Sequence, residues 1–209
     1  MTPYDLLQQH LSECPLVAII RGVSPSEVEA VGATIYEAGI RIIEVPLNSP
    51  QPLESIAILA RSLGDRALIG AGTVLNPDDV ARVRDAGGRI IVSPSTDADV
   101  IAATAAAGMV SSPGFYTPSE AFQALKAGAH ALKLFPAEAA SPAVVKAMRA
   151  VLPKQVPLLV VGGVRPDNMR SYIDAGASGF GLGSGLYKPG QSPAEVAAQA
   201  RAYVEGVRS

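Results

Sequence analysis

Short aliphatic runs alternate along the chain with alanine-rich segments whose apolar residues recur at helical spacing. Most of these runs are continuously apolar, as expected for parallel strands that are covered on both faces. The pattern predicts eight strands, at Leu16–Ile20, Arg41–Val45, Ala67–Gly70, Arg89–Ser93, Met109–Ser111, Ala129–Phe135, Pro157–Val161 and Ser178–Leu182.

The helices between these strands carry recurrent start and stop signals. Serine or threonine followed by proline predicts a capped helix start with proline at the first position. It occurs at Ser24-Pro25, Ser49-Pro50, Thr117-Pro118, Ser141-Pro142 and Ser192-Pro193, with Asn76-Pro77 and Arg165-Pro166 as variants. Ala-Gly pairs predict the helix ends, with glycine in the left-handed conformation. The glycines of these pairs are Gly39, Gly87, Gly108, Gly128 and Gly176, with Gly64 as a looser example.

The glycines from Gly39 to Gly128 lie 20 to 25 residues apart, a period that fits one strand and one helix. Further helices at about residues 4–13 and 193–207 complete the two ends. Eight such units predict a (β/α)8 TIM-type barrel, an α/β fold in which residues 1–209 form a single domain with an N-terminal helix. An open doubly wound sheet is the alternative.

Two charged residues interrupt the apolar strands. Lys133 shares a strand face with Ala131 and Phe135, and burial would lower the pKa of its amine and free it to attack a carbonyl. Glu44 lies near the carboxyl end of the second strand, where a buried carboxyl is suited to proton transfer. A lysine that extends to solvent and a structural ion pair are the alternatives.

Other polar groups lie where barrel strands end, which is where active sites of this fold are found. Arg21 ends the first strand and is suited to binding a carboxylate. Thr73 and Pro94 follow the third and fourth strands. Gly162, Gly163, Gly183 and Ser184 follow the last two strands, where backbone N–H groups commonly bind phosphate. Taken singly, Arg21, Thr73 and Pro94 are equally consistent with loop structure. Two glycine-rich turns are the alternative for the last two segments, although their location favours a phosphate site.

Composition excludes several classes of function. The net charge is -2 and the pI is about 5.7, which argues against binding to nucleic acid or to a membrane surface. The single cysteine, Cys14, excludes a disulfide framework, and the separated His10 and His130 do not suggest a metal site. We therefore expect no metal or other cofactor. The polar N-terminus predicts no signal peptide and a cytoplasmic location.

Five motifs, in order along about Leu16 to Tyr187, resemble the class I aldolases of 2-keto-3-deoxy-6-phosphosugar acids. They are Ile19-Ile20-Arg21-Gly22, Glu44-Val45-Pro46-Leu47-Asn48-Ser49-Pro50, Gly70-Ala71-Gly72-Thr73-Val74-Leu75, Leu132-Lys133-Leu134-Phe135-Pro136 and Val161-Gly162-Gly163-Val164. The second motif is most similar to the branch that acts on 2-dehydro-3-deoxy-6-phosphogalactonate. The branch that acts on the gluconate epimer usually has Thr-Leu-Arg after its glutamate.

The resemblance implies a homotrimer that cleaves a phosphorylated sugar acid to pyruvate and D-glyceraldehyde 3-phosphate. It implies that Lys133 forms the Schiff base and that Glu44 transfers protons. Arg21 and Thr73 would hold the pyruvate portion of the substrate. The phosphate would lie on the four residues of the last two loops.

Two segments depart from the pattern of this family. Ser93-Pro94-Ser95 stands where Thr-Pro-Asn is expected, and Phe115 and Tyr116 stand where small residues are usual. These loops face the active site in the family, so the preferred epimer and aldehyde remain open. A metal-dependent aldolase or isomerase on the same barrel, and a non-catalytic phosphosugar-binding protein, are further alternatives.

Overall fold

A computed structural model describes residues 1–208, which form a barrel of parallel strands surrounded by helices. The strands are β1 Leu16–Ile19, β2 Ile42–Pro46, β3 Leu68–Gly72, β4 Ile90–Val92, β5 Val110–Ser112, β6 Gly114–Phe115, β7 Leu132–Leu134, β8 Leu158–Val161 and β9 Gly179–Leu182. The helices are α1 Pro3–Glu13, α2 Pro25–Glu37, α3 Pro52–Leu63, α4 Pro77–Asp85, α5 Ala98–Ala106, α6 Pro118–Ala127, α7 Pro142–Arg149, α8 Met169–Asp174 and α9 Pro193–Arg208.

The strands pair in the order β5-β4-β3-β2-β1-β9-β8-β7-β6, and every pairing is parallel. The ring closes where β5 and β6 follow each other in the chain. There the backbone N–H groups of His130 and Ala131 both donate to the carbonyl of Ser111, at 2.9 and 3.2 Å. The chain therefore forms the predicted TIM-type barrel rather than an open sheet.

The structure has nine strands where eight were predicted, because a short strand, β6, follows the predicted fifth strand on the other side of Pro113. Proline has no N–H group and cannot donate to a neighbouring strand. β5 pairs with β4 before this point, and β6 pairs with β7 after it. The carbonyl of Pro113 itself accepts from the backbone N–H of Lys133 at 2.9 Å. Most of the other strands lie within a residue or two of the prediction, but β7 begins at Leu132 rather than Ala129.

Most of the predicted helix starts are confirmed. Ser24 with Glu27 and Thr117 with Glu120 form capping boxes, and the Ser192 hydroxyl bonds Glu195. The Ser49 prediction was wrong: α3 begins at Pro52, and the Ser49 hydroxyl instead accepts from the N–H of Gly22.

Another predicted start was also wrong, because α8 begins at Met169 and not beside Pro166. The predicted helix ends are confirmed. Gly64 caps α3 in a right-handed conformation, whereas the five Ala-Gly glycines have positive φ angles as predicted.

Two apolar layers hold the fold together. Alternate strand residues point outward to the helices and inward to the barrel interior, where Val17, Ile42, Leu68 and Leu159 pack together. Leu7 and Leu11 of α1 join this interior cluster, so α1 covers the amino-terminal end of the barrel. The carboxyl ends of the strands are left for the site. None of the helices in residues 1–208 is long and apolar enough to cross a membrane.

Candidate active site

Lys133 and Glu44 both point into the barrel interior, as the alternation of side chains along their strands predicts. Lys133 is the middle residue of β7 and Glu44 the middle residue of β2. Their exposed fractions are 7% and 1%, whereas the other four lysines are exposed. Both side chains line one small cavity whose other walls are mostly aliphatic. The barrel therefore brings together an amine and a carboxyl that are 89 residues apart in the chain.

Burial dominates the electrostatics of this pair. It raises the pKa of Glu44 from 4.5 to about 7, although Lys133 and, to a lesser extent, Arg21 oppose the rise. Burial likewise lowers the pKa of Lys133, against the attraction of Glu44. Oε2 of Glu44 has no hydrogen-bond partner. Burial therefore increases the fraction of neutral amine, beside a carboxyl that can hold or release a proton near neutral pH.

Phe135 covers the amine from the carboxyl end of the same strand. The Nζ atom of Lys133 lies 4.8 Å from the centre of the Phe135 ring. Lys133 lies on β7, and Phe135 follows two residues later, just after the strand ends. The two side chains therefore share a face. An aromatic face limits the access of water and can stabilise positive charge on the nitrogen.

Arg21 lies outside this cavity and is held by two polar neighbours. Its guanidinium donates to Oδ1 of Asn48 and, at 3.3 Å, to Oγ1 of Thr73. Thr73 has a φ of 55°, a left-handed conformation that is uncommon for a residue other than glycine. Three segments that follow β1, β2 and β3 thus converge on one exposed cation. This group is suited to binding a carboxylate.

The predicted phosphate segments follow β8 and β9, which are neighbouring strands. Gly162 and Gly163 have φ angles of 111° and 64°, so both take conformations that glycine adopts readily. Gly183 is half-buried and Ser184 is exposed, and a side chain at Gly183 would meet nothing within 4 Å. The two glycine segments therefore follow adjacent strands at the same end of the barrel as Lys133.

Pro94 follows β4 and packs closely on the residue that begins β6. A Cβ atom on Gly114 would lie 2.3 Å from the Pro94 carbonyl oxygen. The Thr96 hydroxyl also donates to the Gly114 carbonyl at 2.7 Å. The Ser93–Ser95 segment is therefore fixed against Gly114 of β6, the residue that pairs with Lys133 of β7.

The aromatic pair at Phe115 and Tyr116 does not line the cavity. Phe115 is 2% exposed and packs in the outer layer beneath the helices. Tyr116 is 37% exposed, and its hydroxyl donates to the carbonyl of Ala139 at 2.8 Å. The alternation of side chains turns Phe115 away from the barrel interior, so its ring does not contribute to the cavity of Lys133.

Histidine and cysteine contribute nothing to this site. His130 is half-buried just before β7, where Nδ1 accepts from the N–H of Ser111, and Cys14 is a buried free thiol. Among residues 1–208 there is no cluster of three or more metal-ligating side chains.

Three residues near the site were not singled out from the sequence. Asn48 holds Arg21, Gly72 borders the carboxyl of Glu44, and Ser112 lines the same cavity as Lys133. Each lies at a strand end or in a loop, but its role depends on which side chain the neighbouring strand or loop places beside it. The strand alternation indicates that Ser112 faces inward once β5 is placed, and Asn48 and Gly72 lie within two of the family motifs, although no role was predicted for either residue.

The geometry agrees with a family comparison. A sequence model for the aldolases described as KDPG and KHG aldolase matches residues 7–197. The chain belongs to this family. A relative in Escherichia coli K12, 2-dehydro-3-deoxy-6-phosphogalactonate aldolase, is 46% identical over 200 residues, which are 96% of this chain and 98% of the relative.

Solved structures of the KDPG and KHG aldolase family share the fold. One described as a native KDPGal structure has 46% identity and a TM-score of 0.92, covering 94% of this chain and 95% of the other. A Legionella pneumophila KDPG aldolase, in which pyruvate was captured as a covalent carbinolamine, has 25% identity and a TM-score of 0.84. That match covers 98% of each chain. This protein is accordingly an aldolase, a carbon–carbon lyase.

Proposed function

We propose that the protein cleaves 2-dehydro-3-deoxy-6-phosphogalactonate to pyruvate and D-glyceraldehyde 3-phosphate through a Schiff base on Lys133. The observation that carries this proposal is the burial of one lysine and one glutamate in a single cavity at the centre of the barrel. The 46% identity to the galactonate enzyme of E. coli supports this substrate.

Lys133 is the proposed nucleophile. Its lowered pKa increases the fraction of neutral amine, and only the neutral amine adds to the C2 carbonyl. Loss of the C2 oxygen as water leaves an iminium ion. This positive charge withdraws the electron pair of the C3–C4 bond, a task that a divalent cation performs in metal-dependent aldolases.

Glu44 is the proposed proton-transfer group. As a carboxylate it would accept the proton of the C4 hydroxyl, directly or through a water molecule, while the C3–C4 bond breaks and the aldehyde leaves. The remaining enamine takes a proton at C3, and hydrolysis of the iminium releases pyruvate and regenerates the Lys133 amine. Proton transfer of this kind contributes roughly 10²–10⁴-fold to rate.

The remaining residues are proposed to bind substrate. The guanidinium of Arg21 and the hydroxyl of Thr73, which already contact each other, would hold the carboxylate of the pyruvate portion. Gly162, Gly163, Gly183 and Ser184 would bind the phosphate through backbone N–H groups and one hydroxyl. Pro94 would border the pyruvate portion from the loop after β4.

The gluconate epimer is the second candidate substrate, since it differs only at C4 and related enzymes of the family act on it. Turnover of the two epimers measured side by side, by coupled detection of pyruvate, decides between them. We expect a higher kcat/KM for the galactonate. A higher kcat/KM for the gluconate would instead assign the protein to the gluconate branch of the same family.

The assembly is proposed to be a homotrimer that works in the cytoplasm. Two large apolar side chains, Leu75 and Phe122, are 58% and 47% exposed in the single chain, and association would cover such surface. Light scattering after size exclusion gives the mass in solution, and a mass of three times 21.5 kDa is expected.

Reductive trapping tests the chemistry. The protein is incubated with pyruvate and borohydride and then digested for mass spectrometry. We expect a stable adduct on Lys133, none in Lys133→Met, and an unchanged adduct in the matched variant Lys146→Met, in which an exposed lysine of α7 is replaced. Turnover abolished by a chelator, with no adduct, would indicate a metal-dependent aldolase. Binding without turnover would indicate a non-catalytic sugar-binding protein.

A further inference from the structure

Ser112 is a third polar residue in the cavity of Lys133 and Glu44. It ends β5 and is 1% exposed, and its side chain lines the same cavity as theirs. The residue after it, Pro113, accepts a hydrogen bond from the backbone N–H of Lys133. The serine and the lysine therefore lie on adjacent segments where the barrel closes.

The Ser112 hydroxyl has no hydrogen-bond partner. Two other buried hydroxyls instead donate to nearby carbonyls. Ser93 donates to Val74 at 2.8 Å, and Thr104 donates to Val100 at 2.7 Å. A buried polar group without a partner is unfavourable, so an unsatisfied hydroxyl that lines a reaction cavity points to a ligand atom as its partner.

The chemistry of the cavity identifies that atom by elimination. When Nζ of Lys133 bonds to C2 of a keto acid, the oxygen on C2 is attached to the same carbon and must lie beside the lysine. The rest of the lining is aliphatic apart from Glu44 and Ser112. Within the cavity, the oxygen on C2 can therefore form hydrogen bonds with Glu44, which is ionisable, and with Ser112, which is neutral.

We propose that the Ser112 hydroxyl donates a hydrogen bond to the C2 oxygen of the keto acid while Lys133 adds to it and while that oxygen leaves as water. Nζ forms its bond to C2 as the carbon–oxygen double bond opens, and the nitrogen transfers one proton to the oxygen to give the carbinolamine. A second proton, from the Glu44 carboxyl, allows water to leave as the nitrogen lone pair forms the iminium. Ser112 gains and loses no proton. In hydrolysis the same contact orients the water that returns to C2.

This proposal rests on the Schiff-base function of Lys133 and is tested on the rate of adduct formation. The protein is mixed with pyruvate and quenched with borohydride at increasing times, and the intact mass gives the fraction of adduct. We expect Ser112→Ala to form the adduct about 3- to 10-fold more slowly, as the loss of one hydrogen bond implies. The KM should change much less than kcat. Ser112→Thr, which keeps the hydroxyl, should restore the rate to within about twofold.

Ser55→Ala is the matched control, because the Ser55 hydroxyl is also buried and without a partner but lies on α3 outside the cavity lining. It should form the adduct at the wild-type rate. A wild-type rate in Ser112→Ala, or a threonine variant as slow as the alanine variant, would overturn the role of the hydroxyl. If Ser55→Ala is slowed equally, the effect is general and the proposal also fails. If the wild-type protein gives no adduct at all, the proposed imine on Lys133 is wrong, and the role of Ser112 is wrong with it.

Discussion

The Glu44 carboxyl lies against Gly72 of the neighbouring strand, in space that any other residue at position 72 would fill. A Cβ atom on Gly72 would lie 1.9 Å from Oε2 of Glu44 and 2.2 Å from its carboxyl carbon. The two residues come from β2 and β3, which pair in parallel register. The glycine thus determines where the carboxyl of the proposed proton-transfer residue can lie.

Gly72→Ala should therefore reduce kcat, because the new methyl group displaces the carboxyl. We expect a loss on the order of 10²-fold, within the range that general acid–base catalysis contributes. The check is a double-mutant cycle with Glu44→Gln, measured as steady-state cleavage. The alanine should cost little in the Gln background, since the group that it displaces is no longer ionisable. Equal losses in both backgrounds would mean that Gly72 acts independently of Glu44.

The raised pKa of Glu44 makes stability depend on pH. Below pH 4.5 the carboxyl is protonated in both the folded and the unfolded chain. Between 4.5 and about 7 the unfolded chain releases this proton while the folded chain keeps it, so folding becomes less favourable as the pH rises. Above pH 7 the loss of folding free energy, relative to its value below pH 4.5, is constant at about 3 kcal/mol.

Glu44→Gln should remove this dependence. The variant should be more stable than the wild type at pH 8, by up to about 3 kcal/mol, and nearly equal to it at pH 4.5. Urea unfolding at the two pH values measures the difference. Glu29→Gln, which changes an exposed residue of α2, is the control and should show no such pH-dependent gain. A gain that is the same at both pH values would contradict the assignment.

The phosphate segment can be tested through the backbone. A Cβ atom on Gly163 would combine a φ of 64° with an approach of 2.9 Å to Cγ of Glu138. Gly163→Ala should raise the KM for the phosphorylated substrate by about tenfold, while adduct formation with pyruvate, which has no phosphate, stays unchanged.

Gly108→Ala is the matched control for Gly163→Ala. Gly108 has a similar φ of 68°, but it follows α5 at the opposite end of the barrel, with nothing within 4 Å of its Cβ position. The control should lose some stability and keep its KM. A similar rise in KM in the control would show that strain, not position, is responsible.

Asn48 should act through Arg21. Its side-chain oxygen accepts from the guanidinium, so Asn48→Ala leaves the proposed carboxylate-binding group less ordered. We expect the KM for the keto acid to rise about 3- to 10-fold with little change in kcat. Steady-state kinetics check this, with Gln123→Ala, a change at an exposed residue of α6, as the control. A fall in kcat at constant KM would assign Asn48 to the chemistry instead.

Much of the site was predictable because strand alternation is a local property. Lys133 and Glu44 interrupt apolar runs at positions that share a face with inward residues, and the structure has both of them inside the barrel. Capping at Ser24 and Thr117 was equally local, since each box spans only four residues. The start of α3 could not be predicted in this way, because the Ser49 hydroxyl accepts a hydrogen bond from the N–H of Gly22, 27 positions away.

The sequence by itself determined the repeating strand–helix unit, the inward lysine and glutamate, and the family, since each depends on the order of nearby residues. Only the tertiary structure decided that Gly72 makes room for Glu44, that Asn48 holds Arg21, and that the hydroxyl of Ser112 opens into the cavity of Lys133. The physical reason is that these relationships join different strands. They depend on the register between the strands and on the closure of the barrel at Pro113, which no single segment of the chain encodes.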